Sequence, residues 1–132
     1  MNTHRQIAKH IKSVLAKRRS KEPLSIVVRR VSRIIEGALN ERARQEHKWG
    51  EQNHDFPIWL AIFSEEFGEI SQAFLKLNFA AAEAAGAKKV GKKVDTRSIS
   101  QRGIDFRTEM IQGLAVLMAM IECGDRNGWF GK

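Results

Sequence analysis

The stretch Trp59-Leu60-Ala61-Ile62-Phe63-Ser64-Glu65-Glu66-Phe67-Gly68-Glu69-Ile70-Ser71-Gln72-Ala73-Phe74 decides how this chain is read. Leu60, Phe63, Phe67, Ile70 and Phe74 step by 3, 4, 3 and 4, a spacing that lines them along one side of an α-helix. A half-buried strand would instead alternate with period two. Asp55 can cap the helix and Pro57 suits its first turn, because a proline there loses no hydrogen bond. The spacing predicts a helix from about Pro57 to Ala85.

Working outward, the same period recurs three times. Ile7, Ile11, Val14 and Leu15 predict a helix over residues 4–18, with Lys and Arg on its other face. Leu24, Val27, Val28, Val31, Ile34, Ile35 and Leu39 predict a second from Pro23 to His47. Residues 48–56 read as a structured loop, with Gly50 ending the second helix. Met110, Leu114, Leu117 and Ile121 predict a last helix from Ile104 to Asp125, ended by Asn127 and Gly128. Between the third and fourth helices, residues 86–104 are rich in Lys, Gly and Ser and read as a long loop. No strand-period segment or internal repeat stands out. The expected fold is an all-α helical bundle of about four helices. Apolar faces on all four are more than one layer can cover, so completion by oligomerisation is expected.

The chain of 132 residues is the size of one ordinary domain. Its single cysteine, Cys123, cannot build an internal disulfide framework and reads as a core or near-surface thiol without chemistry, in a reducing compartment. No run approaches the ~20 apolar residues of a membrane span, and Arg and Lys interrupt every short apolar run near the N-terminus. These features predict a cytoplasmic protein. The net charge of +8 is lopsided: residues 1–48 hold 13 Lys/Arg against 4 Asp/Glu, residues 49–132 hold 10 against 11. Such a basic third is either a contact for nucleic acid or another anionic surface, or a solvated helix face.

Chemistry, if present, lies in two acidic helical motifs. Glu66 and Glu69 are three apart and share one face beside the Phe63/Phe67/Ile70 seam. Glu109 and Gln112 repeat the spacing beside Met110 and Leu114. If the two helices pack antiparallel, three carboxylates and an amide oxygen converge. Carboxylates held that close repel one another, and a divalent cation relieves the repulsion. An all-oxygen set selects Mg²⁺, with Mn²⁺ as its substitute, over zinc. The plainer reading is a pair of solvated acidic faces on a structural helical protein.

The run Trp49-Gly50-Glu51-Gln52-Asn53-His54, the motif Glu65-Glu66-Phe67-Gly68-Glu69 and the late Glu109-Met110-Ile111-Gln112 resemble the MazG-like all-α nucleotide pyrophosphohydrolases. The resemblance covers about residues 36–126, leaving 1–35 as a basic helical extension to a domain of residues 36–132. It implies Mg²⁺-dependent hydrolysis of nucleoside triphosphates, non-standard ones among them, to monophosphate and pyrophosphate. It implies Glu66, Glu69 and Glu109 as metal ligands with Gln112 completing the shell. Glu65 would be a supporting acid, and Trp49, Gln52 and His54 would belong to the nucleoside pocket, with Trp59 either a wall of that pocket or a core residue. It also implies a homo-oligomer, dimer or tetramer.

Two departures accompany the resemblance. The family has Asp where this chain has Gln112, which brings no charge and weakens metal binding. Glu69 and Glu109 stand 40 residues apart, further than is usual, and the excess is the basic segment 86–104. Lys88, Lys89, Lys92, Lys93, Arg97 and Arg102 within it read either as a lid over the triphosphate or as a solubilising insertion. The alternative function is a catalytically weak MazG-like protein that binds nucleotide or nucleic acid.

Overall fold

The computed structural model describes residues 3–18, 20–94 and 96–131. Among them are four α-helices and no strand: α1 (Thr3–Ala16), α2 (Leu24–Trp49), α3 (Phe56–Lys89) and α4 (Thr96–Asn127). The chain is all-α, as its periodicity predicts. It divides into two compact units, Met1–Asn40 and Glu41–Lys132, with the boundary inside α2. No helix among the described residues is long and apolar enough to cross a membrane.

The helix ends follow local chemistry. Asp55 caps α3, its carboxylate accepting the Ile58 N–H at 3.4 Å, with Pro57 in the first turn. Gly50 stops α2 at φ 74°, where its N–H still reaches the Glu46 carbonyl at 2.7 Å. A side chain is strained in that left-handed region, and glycine is not. Gly128 does the same for α4 at φ 68°.

In the N-terminal unit, Val27 of α2 is buried. Ile11 and Leu15 of α1 are half-buried and Val14 is exposed; the side chain of Ile7 lies outside the described residues. Glu22, in the connection between the helices, pairs with both Arg18 and Arg30.

In the second unit α3 and α4 run antiparallel. Ile70 meets Gly113, and the rings of Phe74 and Phe106 lie 5.6 Å apart. The core gathers Trp59, Val116, Ala119 and Cys123, with Ile62, Phe63, Met120 and Trp129 packed against it. Burying an apolar side chain such as Val116 contributes about 2 kcal/mol. The Cys123 thiol is fully buried, as expected of a core thiol.

Two expectations are corrected. The seam joining α3 to α4 keeps only part of the expected row: Phe63, Ile70 and Leu114 are half-buried, and the others are not. Leu60, Phe67 and Phe74 are 48%, 60% and 49% exposed, and Met110, Leu117 and Ile121 are exposed as well. The buried positions are Trp59, Ala73 and Ala80 on α3, and Gly113, Ala115, Val116, Ala119, Cys123 and Gly124 on α4. Small residues let two backbones approach closely, so the helices meet largely on their Ala- and Gly-lined faces, with Phe63 packed against the core and Leu60 and Phe67 left outside.

Nor is 86–104 a long loop. α3 runs through Lys89 and α4 starts at Thr96, so only residues 90–95 connect them. The Ala-rich run from Ala80 to Ala87 has strong helix propensity and carries α3 past Gly86. Val94, Ser98, Ile99 and Arg102 are half-buried, which extends the packed face of α4 by two turns.

Candidate metal centre

Glu66 and Glu69 sit one turn apart on α3, and Glu109 faces them from α4. One carboxylate oxygen of each lies within 4.8 Å of the others. The antiparallel seam produces this convergence, with Ile70, next to Glu69, against Gly113, one turn past Glu109. Glu66 and Glu109 are half-buried, and Glu69 is exposed.

The electrostatics are unfavourable. Glu66 Oε2 and Glu109 Oε2 are both buried and neither has a hydrogen-bond partner. An ionised oxygen so placed costs several kcal/mol unless a cation or a donor meets it. Burial pushes the Glu66 carboxyl above its ordinary range, and the charges of Glu69, Glu109, Glu41 and Glu65 push it further. Burial also raises Glu109, followed by the charges of Glu69 and Asp105, while Lys76 works the other way. Glu41, from the last turns of α2, is held below the usual range by hydrogen bonds from Arg44.

The donors fit a hard divalent cation. They are oxygens only, they converge, and two lack any other partner. Gln112 follows Glu109 by one turn and is half-buried. Glu65 is exposed.

A cavity of about 250 Å³ opens beside the cluster, lined by Glu69, Gln72, Ala73, Lys76, Arg102, Asp105 and Glu109. It is acidic where it meets the cluster and carries two cations, Lys76 and Arg102. Arg102 donates from Nη1 to the Lys76 carbonyl at 3.4 Å and from Nε to Ser98 Oγ at 3.3 Å, bringing the guanidinium across the seam. Of the six cations of segment 86–104, Arg102 alone lines this cavity. Lys88 and Lys89 close α3, and Arg97 belongs to the first turn of α4.

Lys76, Gln72 and Asp105 are functional candidates that sequence reasoning missed. Their signal was available: Gln72 and Lys76 continue the Glu69 face at +3 and +7, and Asp105 and Arg102 continue the Glu109 face at −4 and −7.

The expected nucleoside-pocket residues lie elsewhere in the unit. His54 joins Asn53, Asp55, Phe56, Asn127, Trp129 and Phe130 around a separate recess of about 560 Å³. Asp55 precedes Glu66 by eleven residues, about 16 Å along α3. Trp59 is 1% exposed and is a core residue, with the His54 ring edge-on at 5.3 Å. Trp49 is half exposed, with Lys48 Nζ 4.4 Å from its ring centre. The Gln52 carbonyl accepts from Arg126 at 3.0 Å, and Asn53 Oδ1 accepts from Asn127 at 2.7 Å. The loop is thus clamped to the end of α4. None of Trp49, Gln52, His54 and Trp59 lines the cavity beside the carboxylates.

Comparison with protein-family models, with curated proteins and with solved structures finds no match to this chain.

Proposed function

We propose that this protein is a Mg²⁺-dependent nucleoside triphosphate pyrophosphohydrolase, releasing monophosphate and pyrophosphate, in line with the MazG-like resemblance of its acidic motifs. The observation that carries the reading is the pair of buried, unpartnered oxygens on Glu66 and Glu109 beside Glu69. Three converging carboxylates with no other donors are a site that gains from a divalent cation. The cavity beside them adds Lys76 and Arg102, the charge that a polyphosphate needs.

Glu66, Glu69 and Glu109 would hold Mg²⁺, with the amide oxygen of Gln112 within one turn to complete the shell. The bound ion supplies charge neutralisation at the phosphates and polarises the phosphorus. Glu65, exposed on the turn of Glu66, takes the proton of the attacking water. The water oxygen bonds to the α-phosphorus, and the bridging P–O bond to the β-phosphate breaks with its electron pair leaving on pyrophosphate. Lys76 and Arg102 meet the charge of that leaving group, as preorganised donors do where charge develops.

The same reading includes a second copy of the chain. Leu60, Phe67 and Phe74 on α3 and Met110, Leu117 and Ile121 on α4 form exposed rows at helical spacing. The hydroxyls of Ser64 and Ser71 fold back onto the carbonyls of Leu60 and Phe67 at 2.7 and 2.8 Å, so the α3 row makes no polar demand on its surroundings. Burying two such rows against each other completes the packing one chain leaves open. His54 and Trp49 remain candidates for the nucleoside if that copy brings the recess to a neighbouring carboxylate site. The cytoplasm, which supplies nucleotides and keeps Cys123 reduced, is the matching compartment.

The test is product analysis on standard and modified nucleoside triphosphates with Mg²⁺, with Mn²⁺ and with EDTA. Metal-dependent release of pyrophosphate that falls on the order of 10²-fold or more in Glu66→Gln supports the reading. Metal-dependent nucleotide binding with no turnover would favour the binding-only alternative, for which the uncharged Gln112 is the reason.

A further inference from the structure

The charge of this chain divides at the same place as its structure. Met1–Asn40 form one compact unit, and these residues include ten Lys/Arg and two Asp/Glu. Glu41–Lys132 include thirteen of each. The whole net charge of +8 therefore sits in the N-terminal unit, and the unit holding the carboxylates is neutral.

That charge is unspent. Of the two acids, Glu22 takes both Arg18 and Arg30, and Glu36 is exposed. Arg5, Lys9, Lys12, Lys17, Lys21, Arg29 and Arg33 are exposed and form no ion pair among the described residues. Their placement is ordered. Arg5, Lys9 and Lys12 fall at i, i+4 and i+7 on one face of α1, and Arg29 and Arg33 fall one turn apart on α2. The α1 row spans about 10 Å. Over that length one strand of a duplex presents about three phosphates.

The unit also lacks what other anionic partners reward. It contains no Phe, Trp or Tyr. A helix lying in a membrane interface uses such residues as its apolar anchor, whereas the apolar side of α1 carries the aliphatic Ile7, Ile11, Val14 and Leu15 and no aromatic, with Ile11 and Leu15 half-buried. Single-stranded nucleic acid is held by aromatic stacking platforms, which are equally absent. Ordered, unpaired cations without aromatics match the one partner whose surface is a regular array of phosphates.

We propose that the N-terminal unit, Met1–Asn40, binds the phosphate backbone of double-stranded nucleic acid through Arg5, Lys9, Lys12, Arg29 and Arg33, without reading base sequence. This function is separate from the carboxylate site and stands whether or not that site is catalytic.

The experiment is fluorescence anisotropy of the full chain with a labelled DNA duplex of about two helical turns, from about 50 to about 200 mM salt. The expected log–log slope of affinity against salt is about −3 to −5, a loss on the order of 10²-fold over that range. Two unrelated duplex sequences should bind alike, and the corresponding single strand more weakly. The triple variant Arg5→Gln, Lys9→Gln, Lys12→Gln should weaken binding at least about tenfold and flatten the slope by about three. A control with the same charge change in the other unit, Lys88→Gln, Lys89→Gln, Lys92→Gln, should leave binding unchanged. Circular dichroism of both variants verifies that they remain folded. No duplex binding at about 50 mM salt, or equal weakening by the control, overturns the proposal. So does binding to phosphatidylserine vesicles without binding to duplex, which would make the unit a membrane contact.

Discussion

Glu66 on α3 and Glu109 on α4 face each other across the helix seam, each with a buried carboxylate oxygen that no donor reaches. The two charges and that of Glu69 are held together by packing elsewhere, chiefly the Trp59–Val116–Ala119–Cys123 core. The core thus supports an arrangement that is unfavourable in itself. Such a balance has measurable consequences.

The first is a pH dependence with a definite sign. Glu66 and Glu109 have folded pKa values raised above their unfolded ones. Below the unfolded value both states are protonated and the pair costs nothing. As pH rises through the folded values, the folded state must ionise against burial and repulsion, and stability is lost. Glu41, whose pKa is lowered, has the opposite sign: its contribution is present above the unfolded value and fades in acid. Thermal melts of metal-free protein should show Glu66→Gln raising the melting temperature at neutral pH and losing that advantage near pH 4 (about the unfolded carboxylate value). An equal effect at both pH values would remove burial of charge as the cause.

Lys76 and Arg102 should matter to turnover more than to folding, since both line the cavity and neither belongs to the hydrophobic core. Lys76→Met and Arg102→Met are each expected to lower kcat/KM by about 10²-fold while moving the melting temperature by only a few degrees. A loss of activity matched by loss of folded protein would assign Arg102 to the α3–α4 seam, where it already bonds to Lys76 and Ser98.

Much of this was legible in the sequence, and the failures share a cause. The four helices, the Asp55 cap and the Gly50 and Gly128 stops follow from local chemistry, which neighbouring residues determine. The converging carboxylates were legible because i,i+3 pairs on two helices leave few ways to meet. Which face of α3 packs on α4 was not. α3 has apolar residues on more than one side, so a period of 3.6 does not choose between Leu60/Phe67/Phe74 and Trp59/Ala73/Ala80. Helix–helix distance makes that choice, and small residues rather than bulky ones mark the close approach. Segment 86–104 misled for a related reason: its Lys, Gly and Ser suggest a loop one residue at a time, while packing against the α3–α4 hairpin decides in favour of helix. Lys76 and Asp105 escaped because they lie outside the acidic motifs, one to two turns further along the same helix faces.

Adding charge at position 112 gives a gain-of-function test. Gln112→Asp places a carboxylate one turn beyond Glu109, and Mg²⁺ affinity measured by calorimetry should rise roughly tenfold, about 1.4 kcal/mol. No change would place Gln112 outside the metal's reach.

The exposed aromatic row predicts self-association. Leu60→Glu with Phe67→Glu should convert an oligomer to a monomer in light scattering, with helix content retained, because these side chains are 48% and 60% exposed and belong to no core cluster among the described residues. A wild-type chain that is already monomeric at assay concentrations contradicts the second-copy reading and leaves the metal site untouched.

The most direct measurement is Mn²⁺ titration followed by electron paramagnetic resonance, in which bound Mn²⁺ loses the sharp signal of the free ion. The account predicts saturable uptake by the wild-type chain, competed by Mg²⁺, and its loss in both Glu66→Gln and Glu109→Gln. Uptake that survives both substitutions, or a wild-type chain that leaves the free-ion signal unchanged, contradicts a metal centre at this seam.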